Sequence, residues 1–193
     1  MRVILKTLFV TSLLLLAPYS SGESAQAQWP SSSCTSSSSW FIFAGTTFCI
    51  EKTNLASMNV LNTDTPSVSL RANMNGKEVE LALLRLDDQK VTGGLHTHFG
   101  LAAREVLEML VQPGIQNLSP DRGDLVKDVF DVDETTHINR FVKKSIHAYA
   151  LTGQTGGRST IYVFYPDRPG ALMMTGEFDR AMAEKMISMI QVN

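Results

Sequence analysis

The sequence predicts an α+β domain, in which an antiparallel sheet is packed by a mid-chain helix and by a C-terminal amphipathic helix. Three observations lead to this prediction. Two pairs of strand-like segments are each joined by a glycine-containing turn, an apolar stripe of helical period follows Gly100, and a second such stripe lies near the C-terminus. Because a hairpin joins strands of opposite direction, the sheet is expected to be antiparallel.

The first part of the domain is predicted to consist of strands, because its segments are rich in aromatic and β-branched residues or alternate in polarity. The pair Asn75-Gly76 separates two of these segments. It favours a tight hairpin, since both turn positions need a positive φ. The strands are predicted at 40–43, 46–50, 67–72 and 78–84, and a further turn is predicted at 87–90.

A helix is predicted after Gly100 and before Pro113-Gly114, two residues that end helices. Ser119 followed by Pro120 is typical of a helix start, and it predicts a short helix that runs to about Phe130. The apolar stripe of the first helix consists of Ala103, Val106, Leu107, Leu110 and Val111.

The last third of the chain predicts a second hairpin, from 145–151 and 159–165 around a glycine-rich turn. A short strand at 171–175 and an amphipathic helix at 177–190 follow it. This order of elements resembles the end of the PsbP-like sandwich fold. The resemblance covers residues 145–190, concerns the architecture alone and carries over no functional residue.

The N-terminal residues 1–27 are predicted to be a signal peptide. Two basic residues precede an apolar run, and the small residues Ala25-Gln26-Ala27 form a cleavage site. An uncleaved anchor is the alternative, but the apolar run is shorter than the roughly 20 residues that span a bilayer. The protein is therefore expected to be exported, to the periplasm in a bacterium and otherwise out of the cell. Residues 28–39 are predicted to be a serine-rich arm, and 40–193 a single α+β domain.

Cys34 and Cys49 are predicted to form a disulfide, because an even number of cysteines in an exported protein favours pairing. A catalytic cysteine is the alternative, and an oxidising compartment argues against it. The net charge of −2 gives no basic excess for binding nucleic acid. No second apolar span or polybasic run predicts contact with a membrane after signal cleavage.

The stretch GGLHTHFG, residues 93–100, contains two histidines two residues apart. If Leu95–Phe99 is a strand, His96 and His98 share one face and could ligate zinc or copper, with His147 as a third ligand. The alternative is a pair of ordinary histidines at a strand end. No other cofactor is expected.

Asp131, Asp133 and Glu134 form an acidic cluster without the glycine and spacing of a calcium-binding EF-hand loop. This cluster is predicted to be a solvated loop or a patch that faces a basic partner. Because the common hydrolase, metalloprotease and nucleotide-binding motifs are absent from the sequence, an enzyme is not favoured. The leading hypothesis is an exported, non-catalytic protein that binds a protein partner, as an inhibitor, an immunity protein or an envelope accessory factor. The alternatives are a metal-binding protein or metal-dependent enzyme and a small-ligand carrier.

Overall fold

The structure, a computed structural model, describes residues 26–32, 34–61, 65–74, 76–111 and 120–192. These residues form a mixed α/β fold around a large, mostly antiparallel sheet. The strands are β1 (Gln26–Gln28), β2 (Ser38–Phe43), β3 (Thr46–Glu51), β4 (Leu55–Leu61), β5 (Ser67–Met74), β6 (Lys77–Leu86), β7 (His137–Lys143), β8 (Ile146–Thr152), β9 (Ser159–Phe164) and β10 (Ala171–Gly176). The helices are α1 (Asp88–Thr92), α2 (Leu95–Phe99), α3 (Ala103–Glu108), α4 (Pro120–Val129) and α5 (Arg180–Met189).

Eight strands form the large sheet, in the order β1-β7-β8-β9-β10-β6-β5-β4. Each strand is antiparallel to its neighbours except β1, which runs parallel to β7. The hairpin β2-β3 forms a separate two-stranded sheet. The described strands therefore leave β1 and β4 as the two edges of the large sheet.

The two faces of the large sheet are covered by different elements. One face is packed by α5 and the β2-β3 hairpin, and it buries Phe48, Leu70 and Met186. The other face is packed by the helices α1, α3 and α4, and it buries Leu107 and Tyr149. Side chains of β8 alternate between the two cores, as expected for a strand with both faces covered. Burial of apolar side chains on both faces stabilises the fold.

The structure confirms both predicted hairpins, as β5-β6 and β8-β9, and it confirms the helices at α3, α4 and α5. The prediction gave the sheet two hairpins. In the structure the sheet also contains the strands β1, β4, β7 and β10. Asn75 of the predicted Asn-Gly turn lies outside the described residues, while Gly76 has the expected positive φ of 78°.

The predicted strand at Leu95–Phe99 is wrong, because this segment is the short helix α2. Gly94 and Gly100 flank it with φ of 92° and 68°, a left-handed conformation that glycine adopts without steric cost. The backbone N–H of Gly100 donates to carbonyl groups of the helix and ends it. The predicted turn at 87–90 is the start of α1, where Asp87 accepts a hydrogen bond from the backbone N–H of Lys90 at 2.7 Å.

The described part of the serine-rich arm is anchored to the domain. Trp29 is 8% exposed and belongs to the core beneath α5. Cys34 and Cys49 are bonded to each other, with their Cα atoms 5.9 Å apart, as the sequence predicts. Of the predicted signal segment, residues 1–25 lie outside the described residues, and Gln26 and Ala27 belong to β1. Within the described ranges, every helix is too short or too polar to cross a membrane.

Candidate functional site

A cleft of about 400 Å³ opens between the start of α3 and the strand ends beside it. Its size lies within the range of small-ligand sites. One wall comes from the residues around Arg104, and the other comes from the connection between β9 and β10. The lining residues are Asp88, Ala102, Ala103, Arg104, Ser145, His147, Phe164, Tyr165, Pro166, Arg168, Pro169 and Gly170.

Arg104 and His147 meet at the inner wall of the cleft. The Arg104 Nη1 atom lies 3.1 Å from Nε2 of His147 and 3.4 Å from its Nδ1. From the other side, Nη2 of Arg140 lies 3.4 Å from Nδ1 of the same ring. A neutral imidazole has one acceptor nitrogen, so one guanidinium at a time can donate to it.

A carboxylate behind this wall is already paired. Glu108 lies one turn after Arg104 on α3, and its Oε1 atom is 2.9 Å from Nη1 of Arg140. Its second oxygen accepts a hydrogen bond from the hydroxyl of Tyr149. The Glu108 and Arg140 side chains are 14% and 26% exposed, so this pair is largely withdrawn from water. Each oxygen of Glu108 therefore has a partner other than Arg104.

The pKa of His147 is lowered from its ordinary value, first by burial and then by the positive charges of Arg104 and Arg140. Glu108 acts in the opposite direction, but with a smaller effect. This lowered pKa favours the neutral form of the His147 ring. Burial, followed by the hydrogen bond to Glu108, raises the pKa of Tyr149, so this hydroxyl remains a donor.

The second arginine of the cleft is fixed on the opposite wall. The guanidinium of Arg168 lies 4.1 Å from the ring centroid of Tyr165, in a cation–π contact. It donates to the backbone oxygens of Ala44 and Gly45 at 2.7 and 3.2 Å. These contacts join the β2-β3 turn to the cleft and hold the charge of Arg168 in place.

The one acidic side chain in the lining, Asp88, is turned toward the backbone. Its Oδ1 atom accepts a hydrogen bond from the N–H of Gly170 at 2.7 Å. Gly170 has a φ of 72°, and a Cβ atom there would overlap with the carbonyl oxygen of Leu86. Only glycine therefore allows this close approach between β10 and the end of β6.

The cleft combines positive charge with an apolar floor. Arg104 supplies a permanent cation, and Phe164 supplies apolar surface at the base. The charge of Arg168 is partly offset, because its Nε atom lies 3.5 Å from Oδ1 of Asp167. A guanidinium recognises a carboxylate or phosphate through paired hydrogen bonds. The arrangement suits a small molecule that has one anionic group and a flat or apolar body.

The structure does not bring the predicted metal ligands together as the sequence predicted. His96 and His98 lie on α2, where residues two apart point to different sides of a helix. His96 is hydrogen-bonded through Nδ1 to Thr92 Oγ1 at 2.8 Å, and His147 is held between arginines. In the part of the chain that the structure describes, no three side chains of His, Cys, Asp or Glu gather as a ligand set. Zinc or copper binding stays a prediction.

The predicted acidic contact residues Asp131, Asp133 and Glu134 are exposed in the loop between α4 and β7. Asp133 Oδ1 accepts hydrogen bonds from Thr135, at 2.8 Å from the backbone N–H and 2.7 Å from the hydroxyl. The Thr135 hydroxyl also lies 3.3 Å from the carbonyl oxygen of Gly153, a second acceptor that its single proton can serve in turn. The loops 131–136 and 153–157 thus form one continuous surface.

Most of the cleft cluster was missed by sequence reasoning. His147 was a candidate, but as a metal ligand, and Arg104, Arg140, Glu108 and Tyr149 were not proposed. Arg104 and Glu108 are four residues apart on a helix, a spacing that places both on one face. That signal is in the sequence, but nothing local shows that this helix face meets β7 and β8.

No protein-family model, curated protein or solved structure matches this chain.

Proposed function

We propose that this protein is an exported, non-catalytic binding protein whose basic cleft holds a small molecule through a single anionic group, a carboxylate or a phosphate. The observation that carries the proposal is the state of Arg104. Its neighbouring carboxylate, Glu108, is engaged by Arg140 and Tyr149, and the contact of Arg104 in the wall is the neutral ring of His147. A half-buried guanidinium in this setting favours an anion from outside the chain.

Other features of the cleft support the same proposal. Arg168 adds positive charge on the opposite wall, although its ion pair with Asp167 at 3.5 Å offsets part of it. The carboxylate of Asp88 is occupied by the N–H of Gly170. Phe164 is 5% exposed and provides apolar surface at the base. Export is supported by the order of residues in 1–27, and the disulfide fits an oxidising compartment.

The proposal is tested with three small probes: benzoate, phenyl phosphate and the uncharged benzamide. Binding is measured by calorimetry and by the ring resonances of His147. We expect benzoate or phenyl phosphate to bind saturably and benzamide to bind far more weakly. Arg104→Gln should weaken anion binding by about 10- to 100-fold, the effect of losing one charge-assisted hydrogen bond of about 1.5–3 kcal/mol.

Arg180→Gln is the matched control, because Arg180 is an exposed arginine of α5, on the opposite face of the sheet, and is paired with Glu184 at 3.1 Å. It should leave anion binding unchanged. If neither anion binds saturably, or if both variants weaken binding equally, the cleft is not an anion site.

A protein partner is the second candidate function, as an inhibitor, an immunity protein or an envelope accessory factor. The loop 131–136 favours it, because its three acidic side chains, Asp131, Asp133 and Glu134, are all exposed. Such a surface suits a basic partner. Affinity purification of the exported protein from its own source tests it, and reversal of the three acidic charges should release the partner. A PsbP-like sandwich architecture remains part of this proposal, supported by the order β8, β9, β10 and α5.

A further inference from the structure

Arg104 has a competitor for any bound anion in its own helix. Glu108 lies four residues later on α3, and residues at this spacing are neighbours on one face of a helix. A carboxylate and a guanidinium at such positions attract each other. If Glu108 paired with Arg104, it would occupy the guanidinium that the proposed anion needs. The availability of Arg104 therefore depends on what holds Glu108.

Two side chains of the sheet hold Glu108. Arg140 on β7 and Tyr149 on β8 are directly opposite each other in the antiparallel register, so both point to the same face of the sheet. Arg140 Nη1 lies 2.9 Å from Oε1 of Glu108, and the Tyr149 hydroxyl donates to Oε2. Tyr149 is fully buried, and its ring packs edge-on against Phe164 with the centroids 5.8 Å apart. Each carboxylate oxygen therefore has its own donor, and packing fixes the tyrosine of this cross-strand pair.

Removal of these donors would direct Glu108 to Arg104. The Glu108 side chain is 14% exposed, so a partner is needed to offset the cost of burying its charge. Arg104 and Arg140 lie on either side of one imidazole, since Arg104 Nη1 is 3.1 Å from Nε2 of His147 and Arg140 Nη2 is 3.4 Å from Nδ1. Loss of Arg140 therefore leaves Arg104 as a cation that Glu108 can reach.

We infer that Arg140 and Tyr149 are positioning residues of the anion site: they hold the Glu108 carboxylate away from Arg104, so that Arg104 is available to a ligand. This inference rests on the proposed anion-binding function of the cleft. Neither Arg140 nor Tyr149 is among the described residues that line the cleft, so both act through Glu108 and not by touching the ligand. Without them, Glu108 competes with the ligand for Arg104.

A double-mutant cycle tests this coupling, with benzoate and phenyl phosphate as the probes and calorimetry as the measurement. Arg140→Gln should weaken anion binding about tenfold while Glu108 is present, because the released carboxylate then occupies Arg104. In a Glu108→Gln background, the same substitution should change the dissociation constant by less than about twofold, since the amide carries no charge. Tyr149→Phe changes no charge and should weaken binding at least about twofold, and Glu108→Gln should restore it.

Arg71→Gln is the matched control, because Arg71 is also a strand arginine beside glutamates, at 3.4 Å from Glu78 and 3.7 Å from Glu80. It removes the same charge outside the cleft and should leave anion binding unchanged. Circular dichroism and the melting temperature of each variant check that it folds. Tyr149→Phe carries the test on its own if Arg140→Gln does not fold.

Additivity decides between positioning and a through-space effect of charge. If Arg140→Gln weakens binding by the same factor with Glu108 and with Glu108→Gln, the charge of Arg140 acts directly and the inference is overturned. It is also overturned if Arg140→Gln and Tyr149→Phe both bind the probes like the wild type. In either case the proposed function stands as long as Arg104→Gln weakens binding. A wild type that binds neither anion overturns the proposed function, and the inference with it.

Discussion

Tyr162→Phe is expected to make the protein more resistant to unfolding at alkaline pH. The Tyr162 side chain is 8% exposed and packs edge-on against Phe130, with ring centroids 5.6 Å apart. Burial, and then the negative charge of Asp131, raises the pKa of Tyr162 to about 12 from an ordinary value of 10.0. In the unfolded chain, the same hydroxyl loses its proton near the ordinary value.

The sign and size of the effect follow from this difference in pKa. Between pH 10 and about 12, the folded protein keeps a proton that the unfolded chain has released, so the free energy of unfolding falls as pH rises. The fall is about 1.4 kcal/mol for each pH unit, and it reaches about 2.7 kcal/mol over the whole interval. Tyr162→Phe has no proton to lose and should be spared this share of the fall.

Urea unfolding of the wild type and of Tyr162→Phe, repeated from pH 8 to pH 12, measures the effect. The difference between the two free energies of unfolding should be constant up to about pH 9.5 and then change by about 2–3 kcal/mol in favour of the variant. Asp131→Asn removes a charge that raises the pKa of Tyr162, so it should narrow the pH range over which this difference changes. Asparagine tolerates the positive φ of 53° at that position. Parallel curves for the wild type and Tyr162→Phe across the whole range would refute the reasoning.

Four further predictions concern the site and its surroundings. Arg104→Gln removes a positive charge that lowers the pKa of His147, so an NMR titration of this ring should show a higher pKa, and an unchanged value would contradict the described contact. Because the depressed pKa of His147 costs stability as pH falls below 6.5, the same variant should lose less stability on acidification. Gly170→Ala should lower the free energy of unfolding by at least about 2 kcal/mol in chemical denaturation, because its Cβ overlaps with a backbone carbonyl of β6 at a positive φ. If zinc or copper binds, elemental analysis should find stoichiometric metal that a His96→Ala, His98→Ala double variant lacks, whereas an unchanged melting temperature on metal addition would count against it.

Hairpins and amphipathic helices could be predicted from the sequence, because each depends on residues that are close together in the chain. The segments of β5-β6 and β8-β9 alternate in polarity or are rich in β-branched residues around glycine turns, and both pairs form. The apolar stripes of α3 and α5 likewise specify buried helix faces. The strand β4 was missed because six of its seven residues are exposed, so no buried face imposes a pattern on it.

Structure that depends on distant partners could not be predicted in the same way. The strand β1 exists through parallel pairing with β7, more than a hundred residues later in the chain. The segment of α2 was predicted as a strand because it contains threonine, phenylalanine and alternating histidines. It forms a short helix, with Gly94 and Gly100 as its caps. In the cleft, the charges of Arg104 and Glu108 were visible on one helix face, but their partners on β7 and β8 depend on the packing of α3 against the sheet.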